Sequence, residues 1–336
     1  MVDVRGNLKK ENIKVDGLIE NGLGEVYVDE DGEVSLTVYN EKYCAKKNID
    51  DREITIEKKT SNNCIVSDCS QYVFMLGKAI KSCDVQAIDP DENMRYVGPN
   101  PNNYVKFNNE LWRIIGIFDG QAKIIKNGFY IKEASYDDNG DGIYSNNWYT
   151  SILNALLNDE EVETSFINII KKNNPTSYNY IDLDHVWNIG GASNYENLAR
   201  SDFYHAERSE NISLGMTDSV WTGAVGLIYP SDYGYSTSGN KETCDSTVMS
   251  NWSLSSAYEE CAKNSWLYKK YLQWTLTAKI DPTVDDYHIL LDDAGDVSFC
   301  MLSSCASPIR PVLYLKNNIK IVAGKGTSEE PFELGI

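Results

Sequence analysis

The stretch from Trp274 to Leu315 constrains the fold most, because its pattern of apolar and polar residues predicts consecutive strands joined by tight turns. Residues 274–277 (WTLT) alternate large apolar with small polar side chains, which is typical of a half-buried strand. Residues 309–315 (IRPVLYL) predict another strand, with an internal proline. Because proline lacks the N–H group that a central strand uses at every residue, Pro311 predicts a sheet edge or a bulge.

Two hairpins are predicted, one towards each end of the chain. In residues 287–302, two apolar runs flank the acidic turn of residues 292–296 (DDAGD). In residues 25–39, apolar and polar residues alternate around an Asp-Gly turn at Asp31 and Gly32. Both segments favour antiparallel sheet, so strands form a large part of the predicted fold.

The first 90 residues predict a small domain that is rich in strands. Residues 1–68 are strand-like, and a unit of this size buries little apolar surface by itself. Residues 69–83 carry a cysteine at each end and closely spaced apolar residues between them, which predicts a short helix with Ser70 as its N-terminal cap. Residues 84–101 hold three prolines and many acidic residues, which predicts a linker and the domain boundary.

Residues 91–336 predict one larger α+β domain. Strands joined by tight turns are predicted within 103–125, and short helices at 148–157 and 162–170. A mostly irregular, polar segment is predicted from 173 to 215. Five tryptophans in periodic or motif-like contexts are predicted to be core residues: Trp112, Trp148, Trp221, Trp252 and Trp274.

The charge balance argues against several classes of partner. The chain of 336 residues has 50 acidic and 31 basic residues, a formal net charge of −19 and no run of lysine and arginine. Nucleic acids and anionic membranes are therefore not expected as partners, because a phosphate-binding surface needs a basic patch. The sequence has no signal peptide and no apolar run that could span a bilayer. We expect that a native N-terminal anchor has been removed from this chain.

Eight cysteines fall into pairs that are close in sequence, which predicts disulfides rather than free thiols. The four predicted bonds are Cys44–Cys64, Cys69–Cys83, Cys244–Cys261 and Cys300–Cys305. A structural zinc site is disfavoured, because no CxxC motif occurs and only His288 of the three histidines lies near a cysteine. Disulfides indicate an oxidising, extracellular compartment.

Residues 137–142 (DDNGDG) are similar to the first half of a calcium-binding loop of the EF-hand type. Asp137, Asn139 and Asp141 would present oxygen ligands on alternate residues of a tight turn, as Ca²⁺ prefers. The second half of the motif is missing, because its twelfth position, a glutamate in EF-hands, is Trp148. The alternative is a solvated turn without a metal. Ca²⁺ is the one cofactor that the sequence suggests.

Several motifs within residues 92–334 together resemble a known family. Residues 274–277, the hairpin after them and residues 309–313 resemble the end of C-type-lectin-fold bacterial proteins related to formylglycine-generating enzymes. Variable proteins diversified by retroelements belong to that group. Residues 102–116 resemble the family's opening strands, and residues 221–235 its central motif. The resemblance implies a C-type-lectin-like domain over residues 91–336, and such domains often bind calcium.

The strands before residue 69 resemble the globular sheet of Gram-positive type IV pilin-like proteins, without the long apolar N-terminal helix of that group. This resemblance implies a pilin-like β domain over residues 1–90. It also implies display on a cell surface or a pilus, with other pilin subunits as further partners.

The lectin-like resemblance also implies a ligand-binding face. In the variable relatives, the diversified positions that face the ligand lie between the motifs matched here by residues 274–277 and 309–313. The matching positions are Lys279, Asp281, Asp286, His288, Asp296, Ser298, Met301, Ser303 and Ser304. This stretch departs from the family because it is poor in tyrosine and contains two cysteines. The alternative is an ordinary solvated loop surface.

Three functions are compatible with the sequence. The first is an extracellular, adhesin-like binding protein that recognises a protein or glycan on another cell or surface. The second is an oxidoreductase of the formylglycine-generating type with Cys300 and Cys305 as its reactive pair, although their spacing and neighbours differ from that family's active site. The third is a purely structural pilin subunit. Because GxSxG and HExxH motifs are also absent, we favour the non-enzymatic binding protein.

Overall fold

The fold is α+β, with several small, mostly antiparallel sheets and few helices, so the predicted class is confirmed. No helix of the described ranges is long and apolar enough to cross a bilayer. The computed structural model describes the backbone of six short strands within residues 3–58, the hairpin of residues 71–81, and residues 84–137, 144–209, 219–281, 283 and 286–336.

The N-terminal strands form two sheets. The order of the first sheet is β1-β3-β4, and that of the second is β2-β6-β5-β7-β8. The strand bounds are Asp3–Val4 (β1), Ile13–Val15 (β2), Gly24–Val28 (β3), Val34–Val38 (β4), Tyr43–Asn48 (β5), Glu53–Lys58 (β6), Gln71–Met75 (β7) and Lys78–Lys81 (β8). Antiparallel pairing of β3 with β4, with Val28 opposite Val34, confirms the hairpin predicted in residues 25–39.

The helix predicted at residues 69–83 is wrong, because residues 71–81 form the β7–β8 hairpin. Leu76 and Gly77 have φ values of 52° and 81°, the left-handed pair that suits a two-residue turn between twisted strands. Residues 72–74 (YVF) are aromatic or β-branched, and such residues favour strands. A short apolar run is compatible with both the helical and the strand periodicity, and here the Leu-Gly turn favours the hairpin.

A seven-stranded sheet lies at the centre of the fold. Its order is β18-β23-β13-β12-β10-β9, and β11 pairs with β12. The strands are Val85–Ala87 (β9), Met94–Tyr96 (β10), Tyr104–Phe107 (β11), Glu110–Phe118 (β12), Gln121–Lys126 (β13), Val225–Gly226 (β18) and Val312–Tyr314 (β23). The strands predicted within 103–125 are confirmed. Their turns, at Asn108–Asn109 and Asp119–Gly120, have four residues with positive φ.

The segment 84–101 belongs to this sheet, so the linker predicted there is wrong. Strands β9 and β10 pair with each other, and β10 also pairs with β12. Val85 and Tyr96 are fully buried. Most of the acidic residues that indicated a linker lie in the turn between β9 and β10, where buried Asp89 pairs with buried Arg95. The division of the chain into two domains stays a prediction.

A four-stranded sheet contains the predicted C-terminal hairpin. Its strands, in spatial order, are Gly191–Ala192 (β16), Gln273–Lys279 (β19), Tyr287–Leu291 (β20) and Val297–Met301 (β21). Strands β20 and β21 form the expected hairpin, with Leu291 opposite Val297. Residues 273–278 are all buried, so β19 packs on both faces and is not half-buried. The buried hydroxyl of Thr275 is satisfied there, since it donates to the Ile289 carbonyl at 2.7 Å.

The chain changes sheets at Pro311. Strand Ala306–Ile309 (β22) pairs with Ile131–Ser135 (β14), whereas β23 lies in the central sheet. Pro311 therefore lies between two strands, not at a sheet edge or a bulge. Its missing N–H removes no ladder hydrogen bond there, and its carbonyl accepts the N–H of Lys126 at 3.0 Å.

The helices are short and lie between strands. They are Ile152–Asn158 (α1), Phe166–Asn173 (α2), Pro175–Tyr180 (α3), Arg200–Glu207 (α4), Pro230–Gly234 (α5), Lys241–Ser246 (α6) and Ser255–Ala257 (α7), followed by a π-helical turn at Tyr258–Ala262. The remaining strands are Val186–Asn188 (β15), Val220–Thr222 (β17), Lys320–Ala323 (β24) and Glu333–Gly335 (β25).

The predictions for the helical region are confirmed in part. Helices α1 and α2 correspond to those predicted at 148–157 and 162–170, with later starts. The irregular segment predicted for 173–215 is wrong up to residue 209, because it contains α3, β15 and α4. Asn174 caps α3 by accepting the N–H of Ser177 at 3.0 Å, which shows how polar residues can begin a helix.

The core contains the predicted tryptophans and a compensated charge network. All five of these residues are buried: Trp112, Trp148, Trp221, Trp252 and Trp274. Arg95 binds Asp89 at 2.6 Å and Asp232 at 2.9 Å, and Lys123 binds Asp232 at 2.5 Å. Because each of these buried cations has a carboxylate partner, the network links β10, β13 and α5 without an unpaired charge.

Candidate functional site

One exposed surface of the β20–β21 hairpin carries aromatic and apolar side chains. Tyr287 lies opposite Met301, and Phe299 shares their face because side chains alternate along a strand. Phe299 is 38% exposed and Met301 40%. The ring of Tyr195 lies beside them, with its centre 5.2 Å from that of Phe299. We call Tyr195, Lys279, Tyr287, Phe299 and Met301 the aromatic face.

Lys279 places a positive charge on the aromatic face. Its Nζ lies 4.5 Å from the centre of the Tyr287 ring and 4.9 Å from that of Phe299. Contact of a cation with a ring face is worth about 0.5–2 kcal/mol. The Asp281 carboxylate is close to the same ammonium group, with Oδ2 3.8 Å from Nζ. The face therefore combines a cation, a carboxylate and exposed apolar groups.

Hydrogen bonds hold the strands under this face in place. Asn146 Nδ2 donates to the carbonyl oxygens of Lys279 at 2.9 Å and Tyr287 at 3.0 Å, which ties β19 to β20. Burial and the neighbouring Glu196 raise the pKa of Tyr195, so its hydroxyl keeps its proton at neutral pH and can donate to a ligand. A surface fixed in this way loses less entropy when it binds.

The predicted Cys300–Cys305 disulfide is confirmed, and it closes the loop that follows the aromatic face. The two Cα atoms are 6.1 Å apart, within the range of disulfides. A 3₁₀ turn, Leu302–Ser304, lies inside this loop, with its leucine buried and both serines exposed. The hydroxyl of Ser304 donates to the carbonyl of Met301 at 3.2 Å, so the loop also restrains the edge of the face.

The nine positions implied by the resemblance divide between two sides of the hairpin. Asp286 precedes β20, its carbonyl accepts the N–H of Leu302 at 2.8 Å, and its Oδ1 is buried without a hydrogen-bond partner in the described part of the chain. Six positions lie at the open end of the hairpin, near the aromatic face: Lys279, Asp281, Asp286, Met301, Ser303 and Ser304. The others lie on its inner face or at its turn: His288, Asp296 and Ser298.

His288 is a core residue, so its expected contact with a ligand is wrong. It lies opposite Cys300 and is fully buried, as is Ile289 on the other face of β20. Its ring stacks on Tyr136 with the centres 3.9 Å apart, and its Nε2 lies 3.0 Å from the carbonyl oxygen of Thr275. Burial lowers the pKa of His288 to about 3 despite the hydrogen bond to Thr275, so the ring is neutral at pH 7.

Asp296 and Ser298 lie away from the aromatic face. The Asp296 carboxylate accepts the backbone N–H of Ser253 at 2.6 Å and its hydroxyl at 2.7 Å. Ser298 is half-buried and lies opposite Leu290, on the same face as His288. The nine positions implied by the resemblance thus do not share one face of the hairpin. His288 and Ser298 lie on the face opposite to Met301, and only the face of Met301 carries the exposed aromatic surface.

The predicted calcium loop falls largely outside the described residues. Asp137 is buried, and its Oδ2 accepts the N–H of Ser145 at 2.9 Å. Asn139 and Asp141 lie outside the described ranges. Among the residues that the structure does describe, no group of three or more His, Cys, Asp or Glu side chains could hold a metal ion. Calcium binding therefore stays a prediction.

The second disulfide in the described part of the chain joins Cys244 to Cys261, as predicted. Their Cα atoms are 5.6 Å apart, and both residues are fully buried. This bond links α6 to the π-helical turn at Tyr258–Ala262. The predicted pairs Cys44–Cys64 and Cys69–Cys83 fall on side chains outside the described part and stay predictions.

A cleft beside α1 and β17 is a feature that the sequence did not predict. It has a volume of about 460 Å³, and its lining includes Tyr149, Asn154, Asn158, Asp159 and Trp221. Tyr149 is 44% exposed, with its hydroxyl fixed by the Val220 carbonyl at 2.6 Å. Aromatic and amide groups in a concave site can bind a small polar ligand. The lining residues come from distant segments without a motif, so no sequence signal marks them.

Comparisons of the chain with protein-family models, curated proteins and solved structures found no match. The aromatic face and the cleft are the two candidate sites of this chain.

Proposed function

We propose that this protein is an extracellular, adhesin-like binding protein, displayed on a cell surface or a pilus, whose aromatic face binds a protein or glycan ligand. The observation that carries this proposal is the exposure of Phe299 and Met301 beside Lys279, whose ammonium group lies on the rings of Tyr287 and Phe299. Rigid aromatic side chains offer a large contact area at low entropic cost, and they are frequent among residues that dominate binding energy.

The composition supports a location outside the cell. The two observed disulfides are compatible with an oxidising compartment. The net charge of −19 favours solubility and disfavours binding to nucleic acids and anionic lipids. A displayed binding protein needs both properties, whereas neither is required by an intracellular enzyme.

A C-type-lectin-like fold for residues 91–336 and a pilin-like sheet for residues 1–90 are part of the proposal. The α+β class and the hairpin between β19 and β22 support the first. The small, mostly antiparallel sheets within residues 3–81 support the second. In this arrangement the N-terminal strands form a stalk, other pilin subunits are further partners, and the aromatic face contacts the ligand.

The test measures binding of the labelled full chain to a glycan microarray and to immobilised extracellular-matrix proteins. Phe299→Ala removes an exposed ring of the aromatic face, and Tyr149→Ala removes one from the cleft. Val322→Ala is the control, because Val322 is 62% exposed on β24 and belongs to neither site. We expect Phe299→Ala to weaken binding about tenfold or more and the control to leave it unchanged.

The outcomes separate the alternatives. Loss of binding with Phe299→Ala alone supports the aromatic face, and the array that gives the signal identifies a glycan or a protein ligand. Loss with Tyr149→Ala alone moves the ligand to the cleft. If no ligand on either array is bound, the binding-protein proposal loses its basis, and the structural pilin subunit or the Cys300–Cys305 oxidoreductase becomes the better hypothesis.

A further inference from the structure

Three buried or partly buried cations are close enough to repel one another and have no carboxylate partner among the described residues. They are Arg113 on β12, Lys269 in the loop before β19 and Arg310 at the break between β22 and β23. We call them the cation cluster. Within the described part of the chain, the hydrogen bonds of the two arginines go only to neutral oxygens.

Arg113 is fixed between two rings. Its Nε donates to Asn103 Oδ1 at 2.7 Å and its Nη2 to the carbonyl of Pro101 at 3.1 Å. The guanidinium carbon lies 4.3 Å from the centre of the Tyr104 ring and 4.4 Å from that of Trp266. These contacts orient the group, but they leave its full charge uncompensated.

One N–H donor group of Arg310 has no acceptor among the described residues. Its Nε donates to the carbonyl of Lys126 and its Nη1 to Gln273 Oε1, both at 3.2 Å. The side chain is 1% exposed, and Nη2 is buried with no hydrogen-bond partner in the described residues. A buried guanidinium donor without an acceptor is costly, so a missing acceptor is the simplest explanation.

Lys269 adds a third charge to the same region. Burial, then repulsion from Arg310 and Arg113, lowers the pKa of Lys269 to about 7. Its ammonium group forms no hydrogen bond or ion pair with any described residue. Near neutral pH this lysine is therefore held in a positive potential that no side chain of the described ranges neutralises.

Other cations in the protein interior form ion pairs with carboxylates. Buried Arg95 and Lys123 share Asp232, buried Arg200 pairs with Asp245, and half-buried Arg208 pairs with Glu207. The chain has 50 acidic residues, so acceptors are plentiful. The cation cluster differs from these ion-paired cations because no described carboxylate lies beside it.

We infer that the cation cluster binds a tetrahedral oxyanion, phosphate or sulfate, either free or as an ester on a larger ligand. Two planar guanidinium groups and one ammonium group provide donors in different directions, which matches an anion with several oxygens. An anion with two negative charges also offsets most of the three positive charges. Lys269 is half-buried and its neighbour Lys270 is exposed, so the cluster has solvent access on the side of Lys269.

The experiment is a calorimetric titration of the full chain with sodium sulfate, sodium phosphate and N-acetylglucosamine 6-sulfate, at constant ionic strength set with chloride. A pH of about 6.5, below the pKa of Lys269, keeps this lysine charged. Lys269→Gln removes one charge of the cluster, and Lys270→Gln is the matched control at the exposed neighbour. We expect saturable binding that weakens about tenfold in Lys269→Gln and is unchanged in Lys270→Gln.

A second readout needs no variant. Lysine side-chain NMR follows the pKa of Lys269, which rises when a bound anion favours the ammonium form. Binding of the inorganic anions identifies a site for the free ion, and binding of the sulfate ester alone identifies an ester on a larger ligand. Absence of saturable binding by all three probes, or equal binding by Lys269→Gln and the native chain, overturns the inference.

Discussion

The carboxylate of Asp296 holds Ser253 at two points, through the backbone N–H at 2.6 Å and the side-chain hydroxyl at 2.7 Å. This contact joins the turn of the β20–β21 hairpin to the segment before α7, which is distant in sequence. In the same turn, Asp292 Oδ1 accepts the N–H groups of Ala294, Gly295 and Asp296 at 2.8–3.0 Å. The Asp292 side chain therefore stabilises the acidic turn, and the Asp296 side chain attaches the turn to Ser253.

Asp296→Ala is expected to reduce the free energy of unfolding by about 1–3 kcal/mol, because Ser253 then keeps a partly buried N–H and hydroxyl without an acceptor. Urea unfolding measures the change. Asp293→Ala is the control, since Asp293 is exposed in the same turn and should change stability by about 0.5 kcal/mol or less. Equal stability of the two variants would contradict the structural role of Asp296.

A second prediction concerns acid sensitivity. His288 has a pKa of about 3 in the folded protein because of burial, against 6.5 ordinarily. Between these values the unfolded chain binds more protons than the folded one. The stability contributed by the neutral ring is therefore present above pH 6.5 and is lost as the pH falls towards 3.

His288→Gln tests this prediction, because glutamine can still donate to the Thr275 carbonyl but does not titrate. Stability measured by urea unfolding should fall less steeply with pH in the variant between 6.5 and about 4. His185, with a pKa lowered to about 4 by burial, and Glu207, with a pKa raised to about 7 by burial, titrate in both proteins. The difference between the two curves thus isolates His288, and parallel curves would refute its titration.

The sequence predicted features that depend on local chemistry. The hairpin in residues 287–302 follows from its acidic turn, and the pairing of Cys300 with Cys305 follows from their closeness in the chain. The burial of His288 in β20 was not predictable in the same way. Residues 287–291 (YHILL) are almost continuously apolar, so no alternation indicated that His288 points inwards.

Features that depend on tertiary contacts could not be read from the sequence. Arg113, Lys269 and Arg310 come from three separate segments, and no spacing rule connects them. The hairpin at residues 71–81 has an apolar run that suits a helix equally well, and its pairing with β5 favours the strand. The linker predicted at 84–101 was wrong because the segment forms strands of the central sheet and its Asp89 is compensated in the core by Arg95, which composition alone cannot reveal.

The disulfides provide a third prediction, and they bear directly on the enzyme alternative. A non-reduced tryptic digest with iodoacetamide present throughout should contain Cys244–Cys261 and Cys300–Cys305 as bonded peptides, since their Cα distances of 5.6 and 6.1 Å suit such bonds. The same mass spectra test the predicted pairs Cys44–Cys64 and Cys69–Cys83. Alkylated Cys300 or Cys305 in the presence of the other bonds would favour a reactive thiol and hence an enzyme.

The last prediction concerns Gly239, where backbone packing leaves no room for a side chain. A Cβ at this position would lie 1.3 Å from the carbonyl oxygen of Glu260, in the π-helical turn that the Cys244–Cys261 bond holds against α6. The buried disulfide restrains both backbone segments, since Glu260 precedes Cys261 and Gly239 lies two residues before α6. Gly239→Ala should therefore lower the free energy of unfolding by about 3 kcal/mol or more.

Gly128→Ala is the matched control for this substitution, because no atom lies within 4 Å of its added Cβ and the residue is exposed. We expect it to leave stability unchanged or to raise it by about 0.4–1 kcal/mol, through the smaller entropy of the unfolded chain. Urea unfolding of both variants in parallel measures the difference. If Gly239→Ala unfolds at the same urea concentration as Gly128→Ala, the close approach of residues 239 and 260, and with it the rigid attachment of the π-helical turn to α6, is wrong.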